Sequence, residues 1–195
     1  MEYINRIQIS KEQFENLIDF LKNDTEIREI RRGRLLKLFS LLYFTGAKLN
    51  ELTNLTNNMI ANLLIGDNFY IKKSINGELK HHIYISEDAR TFLNEIFTEV
   101  VFNDELIFTS ERGDKKSAMN KNSIIRDANS YLEKVFKGKG ITTHSFRHAF
   151  RKELLEENVN IKLIQQLLGH NSISTTLQYI DNKNIDLSSI LESVR

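Results

Sequence analysis

The sequence has neither cysteine nor proline among its 195 residues. Lack of cysteine excludes disulfides, thiol nucleophiles and thiolate zinc sites, and is compatible with a reducing compartment. Lack of proline leaves no rigid linker to mark a domain boundary. No apolar run reaches membrane-spanning length, and the opening MEYINRIQISKEQ has neither the basic end nor the apolar core of a secretion signal, so a cytoplasmic protein is expected. Charge of one sign is missing too. With 27 basic and 26 acidic residues the formal net charge is +1, where a simple nucleic-acid footprint would be strongly basic. What is present is apolar mass: at 41% hydrophobic the chain can bury one substantial core, and residues 1–195 are expected to form a single domain.

The periodicity predicts a mainly α protein with a small antiparallel β-sheet, an α+β fold. Ser10 can cap a helix from Lys11 to about Asn23, with Phe14, Leu17, Ile18 and Leu21 at helical spacing. A second helix from about Glu26 to Phe44 carries Ile30, Leu35, Leu38, Leu41 and Leu42, and Gly46 is a natural stop. A short helix holds Lys48 and Glu51. Leu63 to Ile85 reads as strands, Ser86 caps a further helix, and Thr109 to Ser117 reads as a loop. Asn120 or Asn122 can start a helix to about Phe136, broken by Gly138 and Gly140. Later helices begin near Thr143 and end at Gly169, and Ser172 can cap the next one, which carries Tyr179.

Asn76-Gly77 between two β-rich runs is a strong signal for a two-residue hairpin turn. That turn pairs Ile75 with Glu78, Lys73 with Lys80, and Ile71 with His82. Two lysines opposed on one face are unfavourable unless an anion sits between them, and a phosphate would serve. Crowding by a like charge also lowers a lysine's pKa, which suits a general acid.

The richest segment is His144-Ser145-Phe146-Arg147, followed by Leu168-Gly169-His170 and, nine residues on, Tyr179. A phosphodiester is a poor electrophile whose transition state spreads charge over non-bridging oxygens, so cationic donors and a positioned nucleophile are required. Arg147 offers a planar, always charged fork. His144 and His170 can donate hydrogen bonds or exchange protons near neutrality. Tyr179 carries an oxygen able to form a covalent intermediate. On a helix at about 100° per residue, His144, Arg147, His148 and Arg151 share one arc, while Phe146, Ala149, Phe150 and Leu154 gather on another side. The His144 and His148 pair has no cysteine and no third ligand at zinc spacing, so no metal is expected.

THSFRHAF and LGHNSISTTLQYI, with YFTGAKLNEL and the opening ISKEQFENLIDFL, resemble the tyrosine recombinases, also called tyrosine integrases. The resemblance covers most of the chain and implies that family's catalytic-domain fold. It implies DNA strand exchange without metal or ATP: a tyrosine attacks a scissile phosphate, giving a 3′-phosphotyrosine and a free 5′-hydroxyl, and another strand's hydroxyl reverses the step. Carried over by motif, Tyr179 is the nucleophile, Arg147 the second arginine, His144 the preceding histidine, and His170 the residue of the His/Trp position. Glu51 falls where a supporting acid stands. The family places a catalytic lysine in the hairpin, where Lys73 matches best, with Lys72 and Lys80 as alternates on the DNA-facing strands. His148 and Arg151 are read as DNA-proximal.

One position departs from the pattern. The family's first arginine belongs where this chain has Thr45-Gly46-Ala47-Lys48. Lysine keeps the charge and loses the bidentate fork, at a cost of about 3 kcal/mol or around a hundredfold in rate. Lys48 is compatible with a slowed enzyme, with a DNA-binding accessory protein that retains the fold without catalysis, or with a substitution introduced by an experimenter. The implied partner is double-stranded DNA, bound by a dimer or tetramer. Leu187, Ile190, Leu191 and Val194 near the C-terminus suit docking on a neighbouring protomer or on the chain's own domain. The N-terminal DNA-clamping domain common in the family is expected to be absent, as in Xer-like fragments or short invertase-like members. Basic clusters at Arg28 to Lys37, Arg112 to Arg126 and Lys134 to Lys152 are expected to polarise the surface if they converge.

Overall fold

A computed structural model of the chain describes residues 7–66, 69–72, 80–98, 102–110 and 117–169. Helix α1, Lys11–Asn23, starts on a reciprocal cap: Ser10 Oγ accepts from the Gln13 amide at 3.1 Å while Gln13 Oε1 accepts from the Ser10 amide at 2.9 Å. Helix α2, Glu29–Thr45, begins three residues later than its apolar pattern suggests, because Asp24 Oδ1 takes the Glu26 amide at 3.0 Å in a turn. Ile30, expected in the core, lies in the first exposed turn of α2 at 61% accessibility. Further along, Leu38, Phe39, Ser40, Leu41 and Leu42 are all buried, five in succession, so α2 is enclosed on every side. Helix α1 packs on it, as do α5, Glu87–Ile96, and α7, Thr143–Glu156. Phe14 stacks on Tyr43 at 3.8 Å between ring centroids, and Phe39 stacks on Phe146 at 5.7 Å, which locks α1 and α7 to α2.

The region expected to begin a run of strands at Leu63 is instead helical to Ile65. Thr56 caps α4, Asn57–Ile65, by accepting from the Met59 amide, and Gly66 ends it at φ +107°. Strands follow only at β1, Phe69–Lys72, and β2, Lys80–Ile83, which pair antiparallel. Their register corrects the hairpin expectation by one residue: Lys72 pairs with Lys80 and Ile71 with His81, not Lys73 with Lys80 and Ile71 with His82. Residues 73–79 between them are odd in number, whereas a ladder closing on a two-residue turn leaves an even number. Part of the expected loop from Thr109 is also paired: β3, Thr109–Ser110, runs antiparallel to β4, Ser117–Ala118. The described residues thus hold two separate two-stranded pairs in a mainly helical body.

Helix α6, Lys121–Phe136, capped by Asn120, carries Tyr131, whose hydroxyl donates to the buried Asp24 at 2.9 Å. Lys134 joins the same carboxylate at 2.9 Å and tethers the α1–α2 junction to α6. Asn129 on α6 accepts from the Thr143 amide at 3.0 Å and so fixes where α7 begins. Helix α8, Ile161–Leu167, packs against α7 and β2, and Gly169 follows it at φ +55°. Among the described residues no helix is long and apolar enough to cross a membrane.

Candidate active site

The site begins where α2 stops. Gly46 takes φ +58°, a conformation that only glycine adopts without strain, and its amide donates to Leu42 O at 3.2 Å. Thr45 Oγ1 donates to Leu41 O at 2.6 Å and accepts from the Ala47 amide at 3.1 Å, which tightens the reversal. Two residues on, Lys48 is the N-cap of α3, Leu49–Leu52, where Glu51 Oε2 accepts from the Lys48 amide at 2.8 Å. Glu51 is buried at 6% accessibility while Lys48 is exposed, so the acid anchors the backbone from which the cation projects.

Helix α7 brings the second cation. Arg147 is 8% accessible, and its guanidinium spans two carbonyls: Nη1 donates to Gly46 O at 2.7 Å and Nη2 to Leu168 O at 2.6 Å. These partners lie 101 and 21 residues away in sequence, one in the TGAK segment and one at the entrance to LGH. Burial draws the guanidinium below its ordinary range, opposed by the negative Glu51 nearby. The structure therefore gathers Arg147, Glu51 and the backbones of Lys48 and Leu168 at one junction. His144, one turn before Arg147 on α7, is exposed.

Other expected residues are placed differently. Arg151, read as facing DNA, is 5% accessible, and its Nη2 meets His148 Nδ1 at 3.0 Å. A guanidinium only donates, so Nδ1 must accept and the ring hydrogen belongs on Nε2. The shared arc of basic residues on α7 is not a solvent face, because two of its four members are buried. Lys72 and Lys80 are paired residues of β1 and β2. Lys73, His170 and Tyr179 lie outside the described residues, as do Leu187, Ile190, Leu191 and Val194.

Four residues of the basic clusters are paired with carboxylates of the chain itself. Arg31 and Arg34 share Asp127 at 2.7 and 3.3 Å, Lys134 holds Asp24 and Glu26, and Lys152 reaches Glu156 at 3.5 Å. Three participants in the site were missed from sequence. The carbonyls of Gly46 and Leu168 carry no side-chain signal. Phe150 does: it follows Arg147 by one helical turn, a spacing that puts the two side by side, and its ring packs on Gly46.

Comparison with known proteins bears on this arrangement. The phage integrase family matches residues 8–184, and the chain belongs to that family, the tyrosine recombinases. It is 31% identical over 170 residues to the tyrosine recombinase XerC of Leptospira interrogans, covering 85% of this chain and 51% of the relative. It is 28% identical over 177 residues to the tyrosine recombinase XerA of Pyrococcus horikoshii, covering 91% of this chain and 60% of the relative. Among solved structures, the XerH site-specific recombinase bound to difH substrate in a pre-cleavage complex superposes with a TM-score of 0.71 at 20% identity, covering 95% of this chain and 53% of that one. That likeness shows the fold. The chain spans about half to three-fifths of the length of these relatives.

Proposed function

We propose that the chain is the catalytic unit of a site-specific DNA recombinase that cuts and rejoins strands through Tyr179. The phenol releases its proton to solvent as its oxygen attacks the scissile phosphorus, the bond from phosphorus to the 5′-oxygen breaks, and the departing oxygen takes a proton. The product is a 3′-phosphotyrosine and a 5′-hydroxyl. Attack by the 5′-hydroxyl of another strand restores the phosphodiester and releases the tyrosine. In this reading Arg147, Lys48, His144 and His170 stabilise charge on the non-bridging oxygens. Lys73 supplies the proton to the leaving oxygen, with Lys72 and Lys80 as alternates nearby. Glu51 supports the site through the Lys48 backbone and through its field on Arg147. Double-stranded DNA is the substrate, bound by self-associating protomers. Residues 1–195 act as one catalytic domain.

The observation that carries this reading is the span of Arg147 across Gly46 and Leu168. Three motifs far apart in sequence meet at one cation suited to phosphate. The test is covalent capture. A pool of duplexes, each nicked so that the short cleaved fragment bearing the free 5′-hydroxyl diffuses away, is incubated with the protein and denatured. A DNA adduct that resists denaturation is expected and should vanish in Tyr179→Phe. Failure of both this chain and its Lys48→Arg variant to form an adduct would refute the reading, as would an adduct that survives in Tyr179→Phe.

A further inference from the structure

Arg147 and Phe150 lie one turn apart on α7 and hold the same residue of the α2–α3 turn. The guanidinium takes the Gly46 carbonyl at 2.7 Å. The ring lies so close to the Gly46 Cα that an added Cβ would fall 2.3 Å from Cδ1 and 2.7 Å from Cγ. The hydrogen bonds of Thr45 and of the Gly46 amide tie the turn to its own helix, to Leu41 O and Leu42 O. Phe150 and Arg147 tie it instead to α7. Gly46 has no side chain with which to pack, so the ring supplies the apolar contact at this point.

We infer that Phe150 is a positioning residue for Arg147: by bearing on Gly46 it keeps that carbonyl in line with Nη1 and so fixes the plane of the guanidinium. The consequence for catalysis rests on the recombinase reading; the orientation of Arg147 does not. An arginine has five N–H donors, and two carbonyl bonds leave the others for phosphate only while the fork stays in one plane. If the turn recedes from α7, Nη1 loses its partner and the fork rotates. The same turn leads within two residues to Lys48, so the ring also sets the spacing of the two cations. Small misplacements of such groups cost rate more than affinity, since DNA binding is spread over many backbone contacts.

Two measurements on the full chain test this. The first is nitrogen-detected NMR of the Arg147 side chain without DNA. Rotation about the Cζ–Nη bonds should be slow in the wild type and in Phe150→Tyr, which keeps the ring, and clearly faster in Phe150→Ala. The second is single-turnover cleavage of a captured duplex. Phe150→Ala should lower the rate about tenfold to a hundredfold while DNA affinity stays near wild type, and Phe150→Tyr should restore most of it. Phe150→Leu, which keeps apolar volume without the ring, replaces the alanine variant if the latter does not fold, and is judged alike. Slow rotation retained without the ring overturns the inference. So does a proportional fall of rate, affinity and thermal midpoint, which would make the ring merely structural. If neither the chain nor Lys48→Arg forms an adduct, the recombinase reading fails, and the rotation measurement alone decides the orienting role of Phe150.

Discussion

Arg147→Lys separates a clamp from a simple phosphate ligand, because the two make opposite predictions for the DNA-free protein. Arg147 donates to Gly46 O at 2.7 Å and to Leu168 O at 2.6 Å from opposite arms of one planar group. A lysine ammonium keeps the charge beside Glu51 but is a single point at the end of its stem, so it can satisfy one carbonyl and leaves the other buried without a donor. A hydrogen bond to a charged group is worth about 1.5–3 kcal/mol. The variant should therefore lose about 2 kcal/mol, which for a domain of this size is about 4–8 °C in thermal midpoint. Equilibrium urea unfolding without DNA is the assay, with an unchanged slope showing that the unfolded state is not the cause. Residues held for chemistry alone are often a burden on the fold, and replacing them commonly raises stability. A loss smaller than about 0.5 kcal/mol, or a gain, would show that Arg147 does not bridge the two segments in solution.

Gly46→Ala combines a left-handed φ with a methyl group driven into the Phe150 ring, and should cost about 2–4 kcal/mol by urea unfolding. Lys48→Arg should raise the rate of covalent adduct formation by around a hundredfold if the missing fork limits the reaction; no gain on a captured substrate would show that this lysine is not limiting. Asp24 sets a pH dependence. The Lys134 hydrogen bond holds its carboxyl below the ordinary 3.8, against the opposing effect of burial and with help from Tyr131. A lowered carboxylate stabilises fully above its unfolded value and loses that contribution as pH falls through the folded one, so unfolding midpoints should drop below about pH 4. Lys134 is raised above 10.5 by its bonds to Glu26 and Asp24, and Tyr131 above 10.0 chiefly by burial, so both stabilise at neutral pH and lose that contribution as pH rises past their folded values. Asp24→Asn should flatten the acid limb and weaken the alkaline one; an unchanged midpoint profile between pH 2.5 and 6 would refute the assignment.

What could be read in advance follows the range of the forces involved. Ser10, Ser86 and Asn120 caps and the stop at Gly46 were legible because a cap acts within one helical turn. The motifs on α7 identified Arg147 as the residue to watch. Its carbonyl partners stayed hidden, since no side-chain identity encodes where a backbone oxygen 101 residues away will lie. Leu63 to Ile65 misled for the opposite reason: a short apolar run fits strand and buried helix alike, and the deciding signal was Thr56, placed to cap α4. The strand register slipped by one because Asn-Gly signals a turn without fixing how many residues the connection contains. The basic face on α7 failed because helical projection groups residues by angle and cannot say which side of the helix is packed; Arg147 and Arg151 turned out to be buried.

The same distinction between counted and available charge bears on how a chain of net charge +1 engages DNA. Counting Arg31 and Arg34 as part of a basic surface assumes that they face solvent, yet both are held by Asp127 on α6, with Arg31 Nε at 2.7 Å. Asp127→Asn tests which role they serve. If they are internal ties, removing the carboxylate loosens α2 from α6 and costs about 1 kcal/mol, the value of a partly exposed pair, while the slope of log affinity against log salt on a non-specific duplex stays the same. If they are phosphate contacts restrained by Asp127, the variant gains affinity and the slope steepens by about one for each cation released to the backbone. The geometry favours the first outcome. Arg31 also lies 6.0 Å from the Tyr131 ring, beside the Asp24 and Lys134 junction that tethers α6 to the α1–α2 corner, so moving it toward DNA would disturb a second contact as well.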